Sequence, residues 1–259
     1  MSGLRVTRDG GLVRLTLDRP EALNALDVDT AVAFLAACRE LRDDRSVRAV
    51  LIAGNGRAFA AGGDLAQLRA DPAGAASALI GPLHEALTLL SSLDAPVIAA
   101  LHGAVAGAGL SLAAAADLAI AAEGTKFNLA YVNIGTSCDL GATWSLPRLV
   151  GLRRALEIAL LGDTFDAAHA LHIGLVNRVV PREQLAEAAD ALARRLANGP
   201  TQALGHMKRL MRTSFGRDFP AQLDAERAAF LDCAATADFA EGLDAFFGKR
   251  PPQFRGKPQ

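Results

Sequence analysis

Two glycine-rich stretches decide how this chain folds: "FAAGGDL" at residues 59–65 and "HGAVAGAGLSLA" at residues 102–113. Each continues from an apolar run, residues 47–54 or 95–103, that predicts a buried strand ended by glycine. Ligands of open α/β sheets bind beyond the carboxyl ends of the strands, which is where both stretches would lie. One backbone amide from each stretch could then donate to a developing oxyanion. A purely structural turn after each strand is the alternative.

The N-terminal half alternates strand-like and helix-like segments. Residues 11–18 alternate apolar and polar side chains, which predicts a half-buried strand. Asp27 is placed to cap a helix whose apolar stripe includes Phe34 and Cys38. A second helix is predicted over about residues 77–92. This order predicts a mainly parallel sheet layered with helices, which is an α/β fold.

The pattern becomes mostly helical after about residue 150, with one strand-like piece at residues 175–180. We therefore expect an α/β core over residues 1–195 and a helical C-terminal region over residues 196–259. The sequence contains no exact internal repeat and no low-complexity linker between the two.

Composition excludes several classes of protein. Of the 259 residues, 51% are hydrophobic and 21% are charged, which predicts a substantial core. The formal net charge of -1 gives no broad basic field, so nucleic acid is not an expected partner. The first thirty residues hold no long apolar run, and the uncharged stretch 95–116 contains Pro96 and three glycines. We therefore expect neither a secretory signal nor a membrane span.

Cysteines and histidines point to a cytoplasmic protein without a metal. The three cysteines are odd in number and far apart, which favours free thiols over a disulfide framework. The five histidines show no metal-ligand spacing. The segment "GAVAGAG" departs from the G-x-G-x-x-G spacing of dinucleotide sites, which argues against a nucleotide-dependent dehydrogenase.

Six segments in order give the chain a specific resemblance. Together they resemble the enoyl-CoA hydratase/isomerase (crotonase) superfamily. The segments are "LDRPEALNALD" (17–27), "RAFAAGGDL" (57–65), "HGAVAGAGLSLAAAADLAIA" (102–121), "LPRLVG" (146–151), "ALHIGLVNRVV" (170–180) and "AFFGKRPPQF" (245–254). The resemblance implies a four-turn β–β–α spiral core, a helical region that assembles a homotrimer or a dimer of trimers, and an acyl-CoA thioester substrate. Since coenzyme A is part of the substrate, no separate cofactor is expected.

The resemblance also assigns binding roles. It implies an oxyanion hole made by the backbone amides of Gly63 and Ala108. Other positions that the resemblance places along coenzyme A are Ala22, Leu23 and Ala25 in the first motif, Ala61, Gly63, Asp64 and Leu65 in the first glycine stretch, and Phe246 and Lys249 near the C-terminus. For Lys249, an ordinary basic residue at a helix end is the alternative interpretation.

Acid/base groups distinguish hydration from isomerisation. Hydration needs two such groups, and the two glutamates of the hydratases fall here on Ser111 and Tyr131. Asp139 instead resembles the aspartate of the branch that includes 1,2-epoxyphenylacetyl-CoA isomerase and related enoyl-CoA isomerases. A turn before a glycine is the alternative role for Asp139. Ser111 could hold water or substrate and Tyr131 could donate a hydrogen bond in the pocket, or both could simply pack.

A single carboxylate suffices for a double-bond shift, because it can take a proton from one carbon and return it two carbons away. The leading hypothesis is therefore an acyl-CoA isomerase with Asp139 as the proton shuttle. The alternatives are an enoyl-CoA hydratase with a non-standard acid/base set and a catalytically weak acyl-CoA-binding protein. His84 lies on a helix that could overlook the acyl pocket.

Overall fold

The computed structural model describes residues 3–256. Strands and helices alternate along this range. The strands are β1 (Leu4–Asp9), β2 (Leu12–Leu17), β3 (Ala49–Gly54), β4 (Val97–Leu101), β5 (Ala104–Ala106), β6 (Leu118–Ala122), β7 (Lys126–Asn128), β8 (Phe165–Asp166) and β9 (Arg178–Val180). The helices are α1 (Val28–Asp43), α2 (Leu65–Ala70), α3 (Pro72–Ser92), α4 (Ala108–Ala115), α5 (Ala142–Val150), α6 (Leu152–Leu161), α7 (Ala167–His172), α8 (Leu185–Ala197), α9 (Thr201–Thr213), α10 (Phe219–Ala234) and α11 (Ala237–Phe247).

The larger sheet confirms the predicted α/β class. Its strand order is β1-β2-β3-β4-β6-β9, and every pair except the β1–β2 hairpin is parallel. Successive residues of a strand point to opposite faces. On β3, Ile52 packs in the cluster with Phe34 and Leu83, whereas Leu51 packs with Leu185 of α8. Burial on both faces explains why these strands are continuous apolar runs.

The chain winds in four turns, each of which adds one strand to the larger sheet. β2, β3, β4 and β6 begin the turns, and a short strand or a single bridge follows each of them. The bridges Leu26–Gly63 and Ala60–Val105 are parallel, as is the β5–β7 pair, and they connect successive turns. A helix then leads to the next strand. This is the β–β–α spiral implied by the resemblance.

Helices α1 and α3 cover one face of the larger sheet. The Asp27 carboxylate accepts a hydrogen bond from Thr30 N at 2.8 Å, so the predicted cap is confirmed. The second helix begins earlier than predicted, at Pro72, because Asp71 caps it and proline suits a first helical position. By length and composition α3 could cross a membrane, but it buries Leu79 and Leu83 in the core of this fold.

The strand predicted over residues 175–180 is shorter in the structure, where β9 contains only its last three residues. Leu175 N donates to Ala170 O at 2.9 Å, which terminates α7. Pairing with β6 then begins beyond Asn177, whose amide donates to Ala119 O at 2.9 Å. The Leu175 amide therefore bonds to the end of α7 instead of pairing in the sheet, which shortens the strand.

The C-terminal part is helical, as predicted. α8 packs on the larger sheet, and the predicted boundary at residues 195–196 falls in its last turn. Beyond it, α9, α10 and α11 carry large apolar side chains that the single chain leaves exposed. They include Met207, Met211, Phe219, Phe230, Phe246 and Phe247, and Phe215 in the turn between α9 and α10 is exposed as well.

Candidate active site

A cavity of about 350 Å³ lies where the two glycine-rich stretches meet α2, α3 and the loop before α5. Apolar side chains form much of its wall and suit an acyl chain. They include Leu68, Ala76, Leu79, Ile80 and Ile134. The sequence did not reveal these residues, because they come from segments whose side-chain directions depend on the packing of α2 and α3.

Close packing brings the two glycine-rich stretches together. Ala60 N donates to Ala104 O at 3.2 Å, and Ala106 N donates to Ala60 O at 2.9 Å. Gly62 and Gly107 have φ angles of +114° and +49°, and residues other than glycine rarely adopt such positive values. The structure thus supports the expectation that both stretches belong to one site.

The amides of Gly63 and Ala108 both lie at this cavity. Gly62 O accepts from Leu26 N at 2.7 Å and Asp64 N donates to Leu26 O at 2.8 Å, so the bridge to Leu26 leaves the Gly63 amide unused. Ala108 is the first residue of α4, and the first amides of a helix have no intrahelical acceptor. Within residues 3–256 neither amide donates to a protein acceptor. Both are therefore free to donate to a ligand oxygen.

The first motif runs alongside the first glycine stretch. Leu23 O accepts from Ala61 N at 3.1 Å, which supplements the pairing of Leu26 with the glycine loop. Leu23 and Asn24 have left-handed backbone angles. The buried side-chain amide of Asn24 donates through Nδ2 to Asn55 O at 2.9 Å and to Ala58 O at 2.7 Å. The residues predicted to lie along coenzyme A in these two segments are thus neighbours.

Asp64 has a structural role in addition to its predicted place beside coenzyme A. Its carboxylate caps α2 by accepting from Ala66 N at 3.0 Å, and it pairs with Arg19 at 3.1 Å. Burial acts to raise the pKa of Asp64, but the hydrogen bonds from Arg19 and from backbone amides outweigh it and lower the pKa. An acid held ionised in this way is a poor proton donor.

Asp139, Tyr131 and Ser111 form a hydrogen-bonded chain at the cavity. The Tyr131 hydroxyl donates to Oδ1 of Asp139 and lies 3.0 Å from the Ser111 hydroxyl. Tyr131 and Asp139 line the cavity, whereas Ser111 is fully buried on α4 and also reaches Gly107 O at 3.3 Å. Both positions that match the hydratase glutamates thus carry hydroxyls, linked to one carboxylate.

Burial shapes the protonation of this cluster. It raises the pKa of Asp139, while the Tyr131 hydrogen bond and the nearby His84 act in the opposite direction. Burial and the Asp139 charge raise the pKa of Tyr131. Burial, with the same charge, also raises the pKa of the Cys138 thiol. The cavity therefore presents one carboxylate of increased basicity and a phenol that remains protonated.

His84 stands behind Asp139 rather than in the cavity wall. Its Nε2 accepts a hydrogen bond from Leu140 N at 3.2 Å. Together with Trp144 it borders a second cavity of about 490 Å³ beside α5. The helix that carries His84 does overlook the cavity, through Leu79 and Ile80, but the His84 side chain itself contacts the turn that carries Asp139.

The predicted substrate-binding residues divide into three groups. Those in the cavity wall are Ala61, Leu65 and Tyr131, and those beside it are Ala22, Leu23, Ala25, Asp64 and Ser111. Phe246 lies in the last turn of α11 and Lys249 follows the helix; neither lines the cavity, and Phe246 is 76% exposed. Their contact with coenzyme A stays a prediction. In the described range, no group of three or more His, Cys, Asp or Glu side chains could hold a metal ion.

Comparisons with known proteins find similarity along nearly the whole chain. The sequence model of a family described as enoyl-CoA hydratase/isomerase matches residues 7–257. The 1,2-epoxyphenylacetyl-CoA isomerase of Escherichia coli is 41% identical over 252 residues, which are 95% of this chain and 96% of that protein. The 2,3-dehydroadipyl-CoA hydratase of the same species is 35% identical over 257 residues, 99% of this chain and 100% of that protein. An enoyl-CoA hydratase crystal structure from Bacillus anthracis matches with a TM-score of 0.93 at 29% identity, covering 98% of this chain and 100% of that one.

Proposed function

The chain belongs to the enoyl-CoA hydratase/isomerase family, and we propose that within it the protein is a double-bond isomerase of acyl-CoA thioesters. The amides of Gly63 and Ala108 bind the thioester oxygen, and Asp139 moves the proton. Coenzyme A is part of the substrate, and no separate cofactor takes part. One observation carries the proposal: Asp139 is the single carboxylate among the described residues that line the cavity.

The reaction needs only this carboxylate and the two amides. Asp139 removes a proton from C2 of a 3-enoyl-CoA, so that the C2–H bond breaks and an O–H bond forms. The electron pair moves into a dienolate whose charge rests on the thioester oxygen, where the two amides stabilise it. Losing one such donor typically costs about 100- to 1,000-fold in rate. Asp139 then returns the proton to C4, which gives the 2-enoyl-CoA and consumes no further reactant.

Hydration is less well supported by the same site. It needs one group to activate water and another to protonate the α-carbon. Ser111 is buried behind Tyr131, and the Tyr131 phenol has a raised pKa and donates to Asp139. Neither group resembles a glutamate as an acid/base catalyst.

A hydratase with a non-standard acid/base set is the second candidate. It is favoured by the similarity to 2,3-dehydroadipyl-CoA hydratase. A catalytically weak acyl-CoA-binding protein is the third candidate, and it would bind thioesters tightly without turning them over.

The direct test incubates the purified protein with 3-enoyl-CoA and 2-enoyl-CoA substrates of several chain lengths and separates the products by chromatography. Asp139→Asn should abolish isomerisation and leave thioester binding intact. Glu187→Gln, which neutralises an exposed carboxylate on α8, serves as the matched control. Full activity of Asp139→Asn would overturn the mechanism. Efficient formation of 3-hydroxyacyl-CoA would favour the second candidate, and binding without any product would favour the third.

We also propose that copies of the chain assemble through the C-terminal helices, as a homotrimer or a dimer of trimers. The exposed apolar side chains of α9, α10 and α11 support this, because large exposed apolar surface marks interaction sites. Light scattering coupled to size exclusion should give the mass of three or six copies. A monomeric mass would overturn the proposal.

A further inference from the structure

We infer that Tyr131 is a positioning residue for the proposed isomerisation: its phenol holds Oδ1 of Asp139, Ser111 holds the phenol, and Oδ2 is the oxygen that exchanges the proton with substrate. This inference rests on the proposed function and adds a role that the proton shuttle alone does not require. The hydroxyls at the two positions without glutamates thereby support the one carboxylate of the cavity.

The support is built from two separate elements. Tyr131 begins a 3₁₀ turn after Ala130, whose φ of +55° turns the chain towards the cavity. Its backbone is fixed by Tyr131 N donating to Leu129 O at 2.7 Å and by Thr136 N donating to Tyr131 O at 3.1 Å. Ser111 is fully buried on α4, the helix that also presents the Ala108 amide. Hydrogen bonds thus hold Tyr131 both at its main chain and at its hydroxyl.

Asp139 is consequently fixed from both sides. The phenol engages Oδ1, and His84 accepts a hydrogen bond from the next amide, Leu140 N, at 3.2 Å. Within residues 3–256 no residue other than Asp139 itself donates a hydrogen bond to Oδ2 of this carboxylate. A carboxylate held by one oxygen can keep the other in a constant place while a proton moves between C2 and C4. Such placement matters because small errors in alignment cost large factors in rate.

Burial and the charge of Asp139 keep Tyr131 a hydrogen-bond donor to the carboxylate. Its raised pKa keeps the phenol protonated, so the phenol can donate to the carboxylate but cannot act as a base. The other titratable groups facing Asp139 are His84 from α3 and Cys138 from its own loop. Because the phenol stabilises the ionised carboxylate against burial, removing it should raise the pKa of Asp139 further.

A packing or substrate-binding role for Tyr131 makes different predictions. Phenylalanine keeps the ring and its packing while it removes the hydroxyl. If the ring alone mattered, Tyr131→Phe would behave like the wild type. If the hydroxyl bound the acyl group, the variant would mainly raise KM and leave the pH profile in place.

The experiment compares Tyr131→Phe, Ser111→Ala and Ser145→Ala by steady-state kinetics across pH on a 3-enoyl-CoA. Tyr131→Phe should lower kcat about 10- to 100-fold, the range expected for losing a hydrogen bond to a charged group. It should hardly change KM, and the acid limb of kcat/KM should move to higher pH. Ser111→Ala should lower kcat and move the acid limb in the same directions, but by smaller amounts. Ser145→Ala removes a buried hydroxyl from the second cavity and should match the wild type.

An unchanged kcat and pH profile in Tyr131→Phe, while Asp139→Asn is inactive, would overturn the inference and leave the proposed function standing. If Tyr131→Phe fails to fold, the same outcome in Ser111→Ala overturns it. If the wild type does not isomerise at all, the proposed function fails instead. In that case, titration of the Asp139 carboxyl by ¹³C NMR still tests whether the Tyr131 hydroxyl stabilises the ionised carboxylate. The titration midpoint should shift to higher pH in Tyr131→Phe, and an unshifted midpoint overturns the inference.

Discussion

Nε2 of His84 accepts a hydrogen bond from the main-chain amide of Leu140 at 3.2 Å, so α3 holds the residue that directly follows Asp139. Leu140 is buried and has a φ of +49°, which is unusual for a leucine and needs support from its surroundings. The contact joins the helix that walls the acyl cavity to the loop that carries the proposed base.

Removing this acceptor should weaken both activity and stability. In His84→Ala the buried Leu140 amide loses its partner, which costs about 1–3 kcal/mol. We expect kcat to fall about tenfold and the melting temperature to drop by several degrees. His84→Gln offers an amide oxygen to the same N–H and should recover much of both. A His84→Ala protein with wild-type kcat and melting temperature would show that the contact does not position Asp139.

The raised pKa of Asp139 gives activity and stability opposite responses to pH. The base must be ionised, so kcat/KM should fall on the acid side, with a limb above the ordinary aspartate range of about 3.9. Because the folded-state pKa exceeds the unfolded one, the fold favours the protonated form and loses stability as pH rises through these values. The uncharged Asp139→Asn variant should therefore melt at a higher temperature than the wild type at pH 7, although it is inactive.

Thermal melts across pH check this prediction. The stabilisation of Asp139→Asn should shrink as the pH falls below the folded-state pKa, where the wild-type carboxyl is protonated too. Glu187→Gln should show no such pattern, because that side chain is exposed on α8. A melting temperature of Asp139→Asn below that of the wild type at pH 7 would contradict the prediction.

Local sequence rules predict much of this fold. The strands before each glycine stretch and the Asp27 cap follow from patterns that span a few residues. The glycines at residues 62 and 107 likewise indicate positions where the backbone takes a positive φ that other residues rarely adopt. The start of α3 was missed because its amphipathic period is weak near Pro72, where capping by Asp71 decides the boundary.

The Ser111–Tyr131–Asp139 chain lies beyond such rules. It depends on left-handed backbone at Ala130 and Leu140, which no composition signal marks. It also depends on the spiral bringing α4 against the loop of residues 131–139, a contact set by tertiary packing. Family resemblance identified the three positions, and the sequence suggested a hydrogen bond from Tyr131 in the pocket without indicating its partner. Their hydrogen bonds became visible only in three dimensions.

The close approach of α4 to the first glycine stretch gives the last prediction. A methyl group on Gly109 would collide with the carbonyl oxygen of Ala60, which is backbone and cannot rotate away. Gly109→Ala should therefore push the start of α4 from the loop, displace the Ala108 amide relative to Gly63 and lower kcat at least tenfold. Overpacking of this kind also costs about 1–3 kcal/mol of stability.

Gly242→Ala is the matched control, because the same change on α11 would place its methyl group 3.6 Å from the Phe254 ring, an ordinary contact. Alanine in a helix interior is favoured over glycine by about 1 kcal/mol, so this variant should melt slightly higher and keep full activity. Kinetics and melting curves of both variants check the pair. If Gly109→Ala retained wild-type kcat, the position of the Ala108 amide would not matter to the reaction, and the oxyanion hole would have to be sought elsewhere in the cavity.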